Sequence, residues 1–472
     1  MKIRDIEITG IACDSKKVSD GSLFVAIKGA SQDGHKFIDE AVNKGARIVV
    51  HQEPFDACPA GGKAVFIRVK DTRKALGRLA ARFYGNPSAA LKVVGVTGTN
   101  GKTTITYLIE NILAGAGFNP AVIGTINYRF NGKAVPAGNT TPGPVDIQSL
   151  LADMLKNKVN YAVMEVSSHS LDQDRVEAVR FSHAIFTNLT QDHLDYHGTI
   201  DNYFQAKARL FRKMPGGSVS IINNDSPYAK DIVSLTGSRV LTYGLTEQCD
   251  VYATDINFNV SGTSFTAHTP RGELDIRSAL IGRHNVYNLL AAIAFGVSEK
   301  LKTSSISSAI RDFKFVPGRL ERIDRGQDFF VFVDYAHTDD ALVNVLTALR
   351  ELSKKRIIAV FGCGGDRDKA KRPKMGKAVS QLADFALITS DNPRSEDPQS
   401  IIKDILKGID KDNYKVVEQR EKAIKEALSM ARSGDIILIA GKGHETYQIT
   451  KGRSAPFDDR EVVKRCLRSM NY

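Results

Sequence analysis

Lys92-Val93-Val94-Gly95-Val96, followed by Thr97-Gly98-Thr99-Asn100-Gly101-Lys102-Thr103-Thr104, is the stretch that decides the fold class. The first five residues are apolar enough for a buried strand. The next eight are rich in glycine and hydroxyls, and Thr106 to Leu113 spaces apolar residues as a helix does. Strand, glycine-rich loop and helix in that order is the setting of a phosphate-binding loop. Glycines let backbone N–H groups converge on phosphate oxygens, and the helix N-terminus adds partial positive charge. Lys102 is placed to neutralise β- and γ-phosphates, and Thr103 to offer its hydroxyl to magnesium. The loop is a variant: the common GxxxxGK[ST] pattern wants glycine where Val96 stands, and Gly95 falls one place early. A glycine turn that merely joins strand to helix is the plain alternative, but the Gly-Lys-Thr-Thr ending is hard to produce by packing demands alone.

Outward from this loop, apolar runs ending in polar residues recur at Tyr161 to Val166, His183 to Leu189 and Val219 to Asn223. Helical patterns fill most intervals between them, as a parallel sheet of βαβ units requires. Before the loop, short runs at Leu23 to Ile27, Ala46 to Val50 and Ala64 to Val69 alternate with helix-like patterns such as Phe37 to Lys44. They end at the turn formers Tyr84-Gly85-Asn86-Pro87-Ser88. A second punctuation, Val316-Pro317-Gly318-Arg319, is followed by runs at Phe329 to Val333, Arg356 to Phe361, Phe385 to Thr389 and Asp435 to Ala440. The expected fold is α/β in three domains: a small N-terminal α/β domain (residues 1–87), a central P-loop parallel-sheet domain (88–318) and a C-terminal Rossmann-like α/β domain (319–472). The length of 472 residues agrees with about three domains at roughly 150 residues each.

Composition narrows the class further. With 42% hydrophobic and 25% charged residues the chain reads as globular, not disordered, collagenous or disulfide-built. No apolar run approaches the roughly 18 to 20 residues that cross a bilayer, and the opening MKIRDIEITG has no secretory apolar segment, so a cytoplasmic place is expected. Cys13, Cys58, Cys249, Cys363 and Cys466 lie far apart without a CxxC pair, which favours reduced thiols over disulfides or a zinc ribbon. The net charge of +12 favours an anionic partner. No long basic run exists, and the most basic stretch, Arg367 to Lys377, has Asp366 and Asp368 beside it. Small acidic ligands explain the charge at least as well as a nucleic-acid groove.

In open parallel sheets ligands sit beyond the carboxyl ends of the strands, and the residues there carry a resemblance. Gly98-Thr99-Asn100-Gly101-Lys102-Thr103-Thr104 resembles the ATP loop of the Mur ligases, cytoplasmic enzymes that add amino acids to the peptidoglycan precursor. More distantly it is similar to that of the folylpolyglutamate synthetases. The resemblance implies ATP as co-substrate, held by these seven residues, with His284 and Asn285 against adenine and Arg319 and Asp334 meeting ATP when domains close. It also implies Mg2+, with Thr103 as one ligand and a second ion held by Glu165, His193 and Lys207 carbamoylated by carbon dioxide. Lys102, Glu165, His193 and Lys207 would form the catalytic set. By pattern alone Lys207 passes as an exposed helix lysine. His193 and His197 at i,i+4 hint at zinc, but no further Cys/His pattern accompanies them. His197 reads as structural or substrate-adjacent, and His169 stays open between a local hydrogen bond and a supporting role. After His337-Thr338 the family commonly has proline, where this chain has Asp339.

Ser390-Asp391-Asn392-Pro393-Arg394-Ser395-Glu396-Asp397-Pro398 resembles the DNPR signature of the Mur ligases that add meso-diaminopimelate. Arg394 offers a planar bidentate partner to a carboxylate that lysine lacks. By the same resemblance Asp391, Asn392, Pro393 and Arg394 bind diaminopimelate together with Arg367, Gly441 and Glu445. Cys363 reads as a small strand-end residue, since no base stands beside it. Ser15 would contact the uridine nucleotide, and Thr140, Thr141, Ser167, Gln173 and Arg175 the muramoyl dipeptide; Gly29 to Gly34 match less faithfully. The activity so implied is ATP-dependent joining of meso-diaminopimelate to UDP-N-acetylmuramoyl-L-alanyl-D-glutamate through an acyl phosphate. Such a ligase serves peptidoglycan synthesis, and with it cell wall biogenesis, cell shape, cell division and the cell cycle. The alternatives are a lysine-adding ligase of the same family, a folylpolyglutamate synthetase and a P-loop motor on nucleic acid. Partners are expected to be small molecules, with no nucleic acid, no membrane insertion and a monomeric chain.

Overall fold

Valine, isoleucine and alanine runs become strands close to where the pattern places them, and in the computed structural model they assemble into three large sheets. The structure describes residues 1–3, 5–29, 32–54, 64–470 and 472, so Cys58 and part of the Gly29 to Gly34 stretch lie outside the described residues. The first sheet is all parallel, in the order Gly10–Ala12, Ser22–Val25, Ile48–His51, Val65–Arg68. Its last helix, Thr72–Phe83, is N-capped by Asp71, whose carboxylate accepts from Lys74 N at 3.1 Å. The helix stops at the turn formers the sequence offers, with Gly85 and Asn86 both at positive φ (80° and 54°).

The central sheet has eleven strands, and Lys92–Thr97 lies between Tyr161–Glu165 and Phe181–Phe186. The strands from Pro120–Ile123 across to Val251–Asn259 run parallel. Successive residues of Lys92–Thr97 enter different cores: Val94 and Val96 pack with the helices Lys102–Gly115 and Arg283–Ser298, while Val93 packs on the opposite face with Ile147 and Leu151. Both faces are covered, which is why these strands read as continuous apolar runs. The central sheet is parallel through its middle, as expected, and gains antiparallel strands at both edges. Asn127–Phe130 and Lys133–Pro136 add an antiparallel hairpin on one side, and Gly262–Thr269 and Gly272–Ser278 extend the other. Edge strands need no crossover helix, so the βαβ rhythm did not reveal them.

The third sheet runs in the order Glu321–Ile323, Phe330–Asp334, Ile436–Ala440, Ile357–Phe361, Phe385–Ile388, Tyr414–Val416, parallel except for its first strand. The last parallel strand, Ile436–Ala440, inserts between two earlier ones. The loops after Asp334, Phe361 and Ala440 therefore leave one end of the sheet as neighbours. No helix among the described residues is long and apolar enough to cross a membrane.

Candidate active site

The glycine-rich loop is built as its sequence demands. Gly98 has φ 147° and Gly101 φ 87°, and a Cβ at these positions would lie 1.8 Å from Thr187 Oγ1 and 2.4 Å from Asn288 Oδ1. Only glycine fits both constraints. The helix begins at Lys102, one turn earlier than the apolar spacing from Thr106 suggests, because its first turn belongs to the loop. The Lys102 ammonium donates to Gly98 O at 2.9 Å and Thr99 O at 2.8 Å, and burial lowers its pKa. The segment after Phe181–Phe186 clasps the loop from the side. Thr187 Oγ1 donates to Asn100 O at 2.6 Å, Asn100 N to Asn188 Oδ1 at 2.9 Å, and Thr190 N to Thr99 Oγ1 at 3.0 Å.

Glu165 ends its strand fully buried, at 1% exposure, beneath this loop. Its carboxylate accepts from Thr103 Oγ1 (3.1 Å), Thr125 N (2.8 Å) and Thr125 Oγ1 (2.9 Å). Hard oxygen donors thus meet at the mouth of the loop, the donor chemistry magnesium prefers. Among the described residues no group of three His, Cys, Asp or Glu side chains is placed to hold a metal ion. A second ion would accordingly depend on the oxygens a carbamate adds to Lys207. The reading of Lys207 as an exposed lysine is corrected: it is 1% exposed, donates to Gly98 O at 2.8 Å and lies over the Tyr203 ring. Burial, with Lys102 nearby, holds its pKa well below that of an ordinary lysine, which favours the neutral amine, the form that attacks carbon dioxide. Both these oxygen donors and this amine fit the implied groups.

His193 sits at φ 53° with its ring edge-on to His169, centroids 4.8 Å apart. Burial lowers its pKa to about 4. His197 is buried and shares a 3.0 Å hydrogen bond with Ser168 Oγ, the structural role. Thr140, Thr141, Ser167, Gln173 and Arg175 form one connected set around Glu165 and Thr125. Thr141 Oγ1 donates to Glu165 O at 2.8 Å and accepts from Ser167 N at 3.1 Å. Arg175 donates to Thr141 O at 2.9 Å and Gln173 Oε1 at 2.7 Å, and the Thr140 hydroxyl lies 3.1 Å from that of Thr125. Ser15 stands apart, its hydroxyl on Glu40 Oε2 at 3.0 Å within the first domain.

Arg319 and Asp340 of the third domain reach the loop and the segment that clasps it. Arg319 reaches Thr103 Oγ1 at 3.5 Å and lies over the Tyr335 ring, while its buried Nε lacks a hydrogen-bond partner among the described residues. Asp340, which the sequence reading missed, accepts from Asn100 Nδ2 at 3.2 Å and Thr190 Oγ1 at 3.1 Å. Asp334 is occupied within its own domain: its carboxylate accepts from Leu320 N and Ala336 N, both at 2.7 Å, and burial raises its pKa. His284 is half-buried with its pKa lowered to about 4 by burial. The Asn285 amide is tied to Ile281 O at 2.8 Å and to Asn288.

Between the central and third domains lies a cavity of about 730 Å³, lined by Thr140 and His193 on one side and by Arg367, Arg394, Asn392 and Glu445 on the other. Asp391 and Gly441 line it as well. Arg394, at φ 53°, is fixed by Nη1 donating to Gly365 O at 2.6 Å. Pro393 O packs where a Cβ on Gly365 would be, holding the two loops together. Behind them Arg372, 1% exposed, donates to both Glu396 oxygens (3.0 and 2.8 Å) and to Asp404 at 3.1 Å. The Arg372 hydrogen bonds bring the Glu396 pKa down to about 2. Cys363 is buried 3.5 Å from Met375 Sδ, and burial pushes its thiol up to about 12, so it is no nucleophile. Lys442 was also missed: a fully buried lysine beside Asn392 and Glu445. Its place among small residues in Ala440-Gly441-Lys442-Gly443 was the available signal.

Three family models match in chain order: the Mur ligase family catalytic domain over residues 7–84, the Mur ligase middle domain over 96–296 and the Mur ligase glutamate ligase domain over 318–443. A UDP-N-acetylmuramoyl-L-alanyl-D-glutamate–2,6-diaminopimelate ligase of Syntrophomonas wolfei is 46% identical over 98% of this chain and 95% of its own. One of the same name from Geobacter metallireducens is 45% identical over 99% and 95%. A solved structure bearing that enzyme name superposes with a TM-score of 0.73 at 34% identity, covering 98% of this chain and 96% of the other. The likeness therefore spans all three sheets and the loops between them, and the chain belongs to the Mur ligase family.

Proposed function

We propose that the protein joins meso-diaminopimelate to UDP-N-acetylmuramoyl-L-alanyl-D-glutamate at the expense of ATP. The observation that carries this reading is the placement of Arg367, Arg394 and Glu445 on one wall of the cavity whose other wall holds Thr140 and His193. Two guanidinium groups and a carboxylate match a diamine with two carboxylates, whereas lysine would leave a guanidinium unpaired in the pocket. The named relatives support the same substrate pair. A folate substrate would give neither arginine a purpose.

A carboxylate does not react with an amine at useful rates, because its oxygen is a poor leaving group. The γ-phosphoryl of ATP is transferred to the dipeptide carboxylate, forming a P–O bond and releasing ADP. The amine then attacks the acyl phosphate, loses its proton and expels inorganic phosphate from a tetrahedral intermediate. Gly98 to Thr104 bind the phosphates, with Lys102 and Arg319 stabilising charge as it develops. Thr103, and in a second position Glu165, His193 and carbamoylated Lys207, would hold Mg2+, which supplies positive charge to the phosphate oxygens. Thr140, Thr141, Ser167, Gln173 and Arg175 orient the acceptor peptide, with Ser15 on the uridine side. His284 and Asn285 flank the adenine, and Asp334 fixes the junction beside Arg319. Arg367, Arg394 and the Asp391-Asn392-Pro393 turn present the nucleophile, while Gly441 and Glu445 receive its far end.

The chain acts as a monomer on small molecules in the cytoplasm, in the making of the cell wall that sets cell shape and permits division. The deciding experiment is ADP release with the dipeptide nucleotide present and amino acids supplied singly. Release with meso-diaminopimelate far above that with lysine is expected, and equal rates would defeat the reading.

A further inference from the structure

Lys442 carries a charge that the chemistry above does not use. Its side chain is fully buried, and its Nζ lies 3.0 Å from Asn392 Oδ1, 3.4 Å from Glu445 Oε2 and 4.0 Å from Asp391 Oδ1. Asn392 Oδ1 also accepts from Ile449 N at 2.9 Å, which forces the other end of the amide, Nδ2, onto Glu445 Oε2 at 2.8 Å. Lysine, asparagine and glutamate thus form a closed triangle that fixes the Glu445 carboxylate at the cavity wall.

Charge balance points the same way. Behind Asp391 lies Arg420, fully buried, paired through Nε and Nη2 with Asp459 at 2.8 and 2.7 Å and standing 3.9 Å from Asp391 Oδ2. Two cations, Arg420 and Lys442, stand behind three carboxylates, Asp391, Glu445 and Asp459, while the outer side of Glu445 faces the cavity that Arg367 and Arg394 also line. A partly buried carboxylate is costly to leave without a cation, and an ammonium arriving from the cavity side pairs with Glu445. Without Lys442 the Glu445 carboxylate loses the cation that stands 3.4 Å from it, which favours its protonated form.

We infer that Lys442 is the positioning residue that keeps Glu445 ionised and aimed, so that the site takes one ammonium of the incoming diamine. This inference rests on the proposed substrate reading. The groups facing Glu445 are Lys442, Asn392, Asp391 and Arg420, together with the phenols Tyr335 and Tyr447. Burial and Asp391 push the Glu445 pKa up, and Lys442 and Asn392 oppose them. Lys442 is therefore the principal cation holding it down.

The test uses the full-length enzyme and ADP release across pH, with K442M, E445Q and the double variant. For K442M the KM for meso-diaminopimelate is expected to rise at least about tenfold, with kcat changed by less than about threefold. The KM values for ATP and the dipeptide nucleotide stay unchanged. The acid limb of kcat/KM for the amino acid moves up by about one pH unit, since removing a neighbouring cation raises a carboxylate pKa. That limb is absent in E445Q, and adding K442M to E445Q shifts nothing. Should K442M fail to fold, K442Q keeps a donor for Asn392 but no charge, and the same shift is expected. A limb that stays in place, a shift that persists in the double variant, or a uniform rise of all three KM values overturns the inference. If the wild type uses lysine and not diaminopimelate, the substrate reading fails, and the same pH shift measured with lysine still judges the role of Lys442.

Discussion

Replacing Arg394 with glutamine tests the source of amino-acid selectivity. The guanidinium is half-buried at the cavity, and its plane is fixed by the 2.6 Å bond from Nη1 to Gly365 O. A Cβ on Gly364 would come within 2.9 Å of the same Nη1, so the group lies flat against a bare backbone and has little freedom to turn away. A preorganised charged hydrogen bond to a carboxylate contributes about 1.5 to 3 kcal/mol, and the half-exposed setting argues against the larger penalty of a deeply buried pair. At about 1.4 kcal/mol per factor of ten, Arg394→Gln should lower kcat/KM for meso-diaminopimelate by roughly 10- to 150-fold. Lysine lacks the distal carboxylate, so its kcat/KM should change by less than about threefold. The preference therefore narrows by nearly the whole of the loss. The assay is steady-state ADP release with each amino acid at saturating ATP and dipeptide nucleotide. Equal losses for both amino acids would mean that Arg394 merely holds the loop together, and the carboxylate-recognition argument would be refuted.

Gly98→Ala places a Cβ 1.8 Å from Thr187 Oγ1 at φ 147°, displacing the clasp on the loop. ATP turnover should fall by at least about 100-fold, with unfolding temperature recorded alongside to separate misplacement from collapse. Asp340→Ala removes two hydrogen bonds between the third domain and the loop and should raise the KM for ATP about five- to tenfold, while leaving the urea midpoint nearly unchanged. His183, 3% exposed and 3.3 Å from Glu299, is held neutral by burial, its pKa lowered to about 4 from an ordinary 6.5. Between these values the unfolded chain binds the extra proton. The stability is thus complete above pH 6.5 and is lost as pH falls towards 4, by up to about 3 kcal/mol. Urea melts at pH 7.5 and 5 should show a smaller drop for His183→Gln than for wild type, and parallel drops would contradict the assignment. With the buried Lys207 amine carbamoylated as proposed, activity should decline in carbonate-free buffer and return on adding bicarbonate; an enzyme indifferent to both would remove the carbamate from the mechanism.

Much of the site was legible because its determinants are local. Gly98 and Gly101 announce a loop by their backbone requirements, and Arg367, Arg394 and Glu445 follow strand ends, where an open sheet gathers its ligands. The alternation in Val251–Asn259 is equally local, but it marks a half-buried strand and not the continuous apolar run of a strand covered on both faces. Other features left no trace in the pattern. Lys207 lies on a helix face that spacing alone cannot call buried, since what covers it is the loop around Gly98, more than a hundred residues earlier. Asp340 gains its meaning only from Asn100 and Thr190, and Arg372 from Glu396 and Asp404.

By itself, then, the sequence determined the three α/β units, the glycine-rich loop and the family, because strand hydrophobicity and glycine conformation are properties of neighbouring residues. Only the tertiary structure decided which charges are desolvated and which partners they meet. A lysine's cost of burial, and the carboxylate that offsets it, depend on atoms brought together from distant parts of the chain, as Lys442 with Asn392 and Glu445 illustrates.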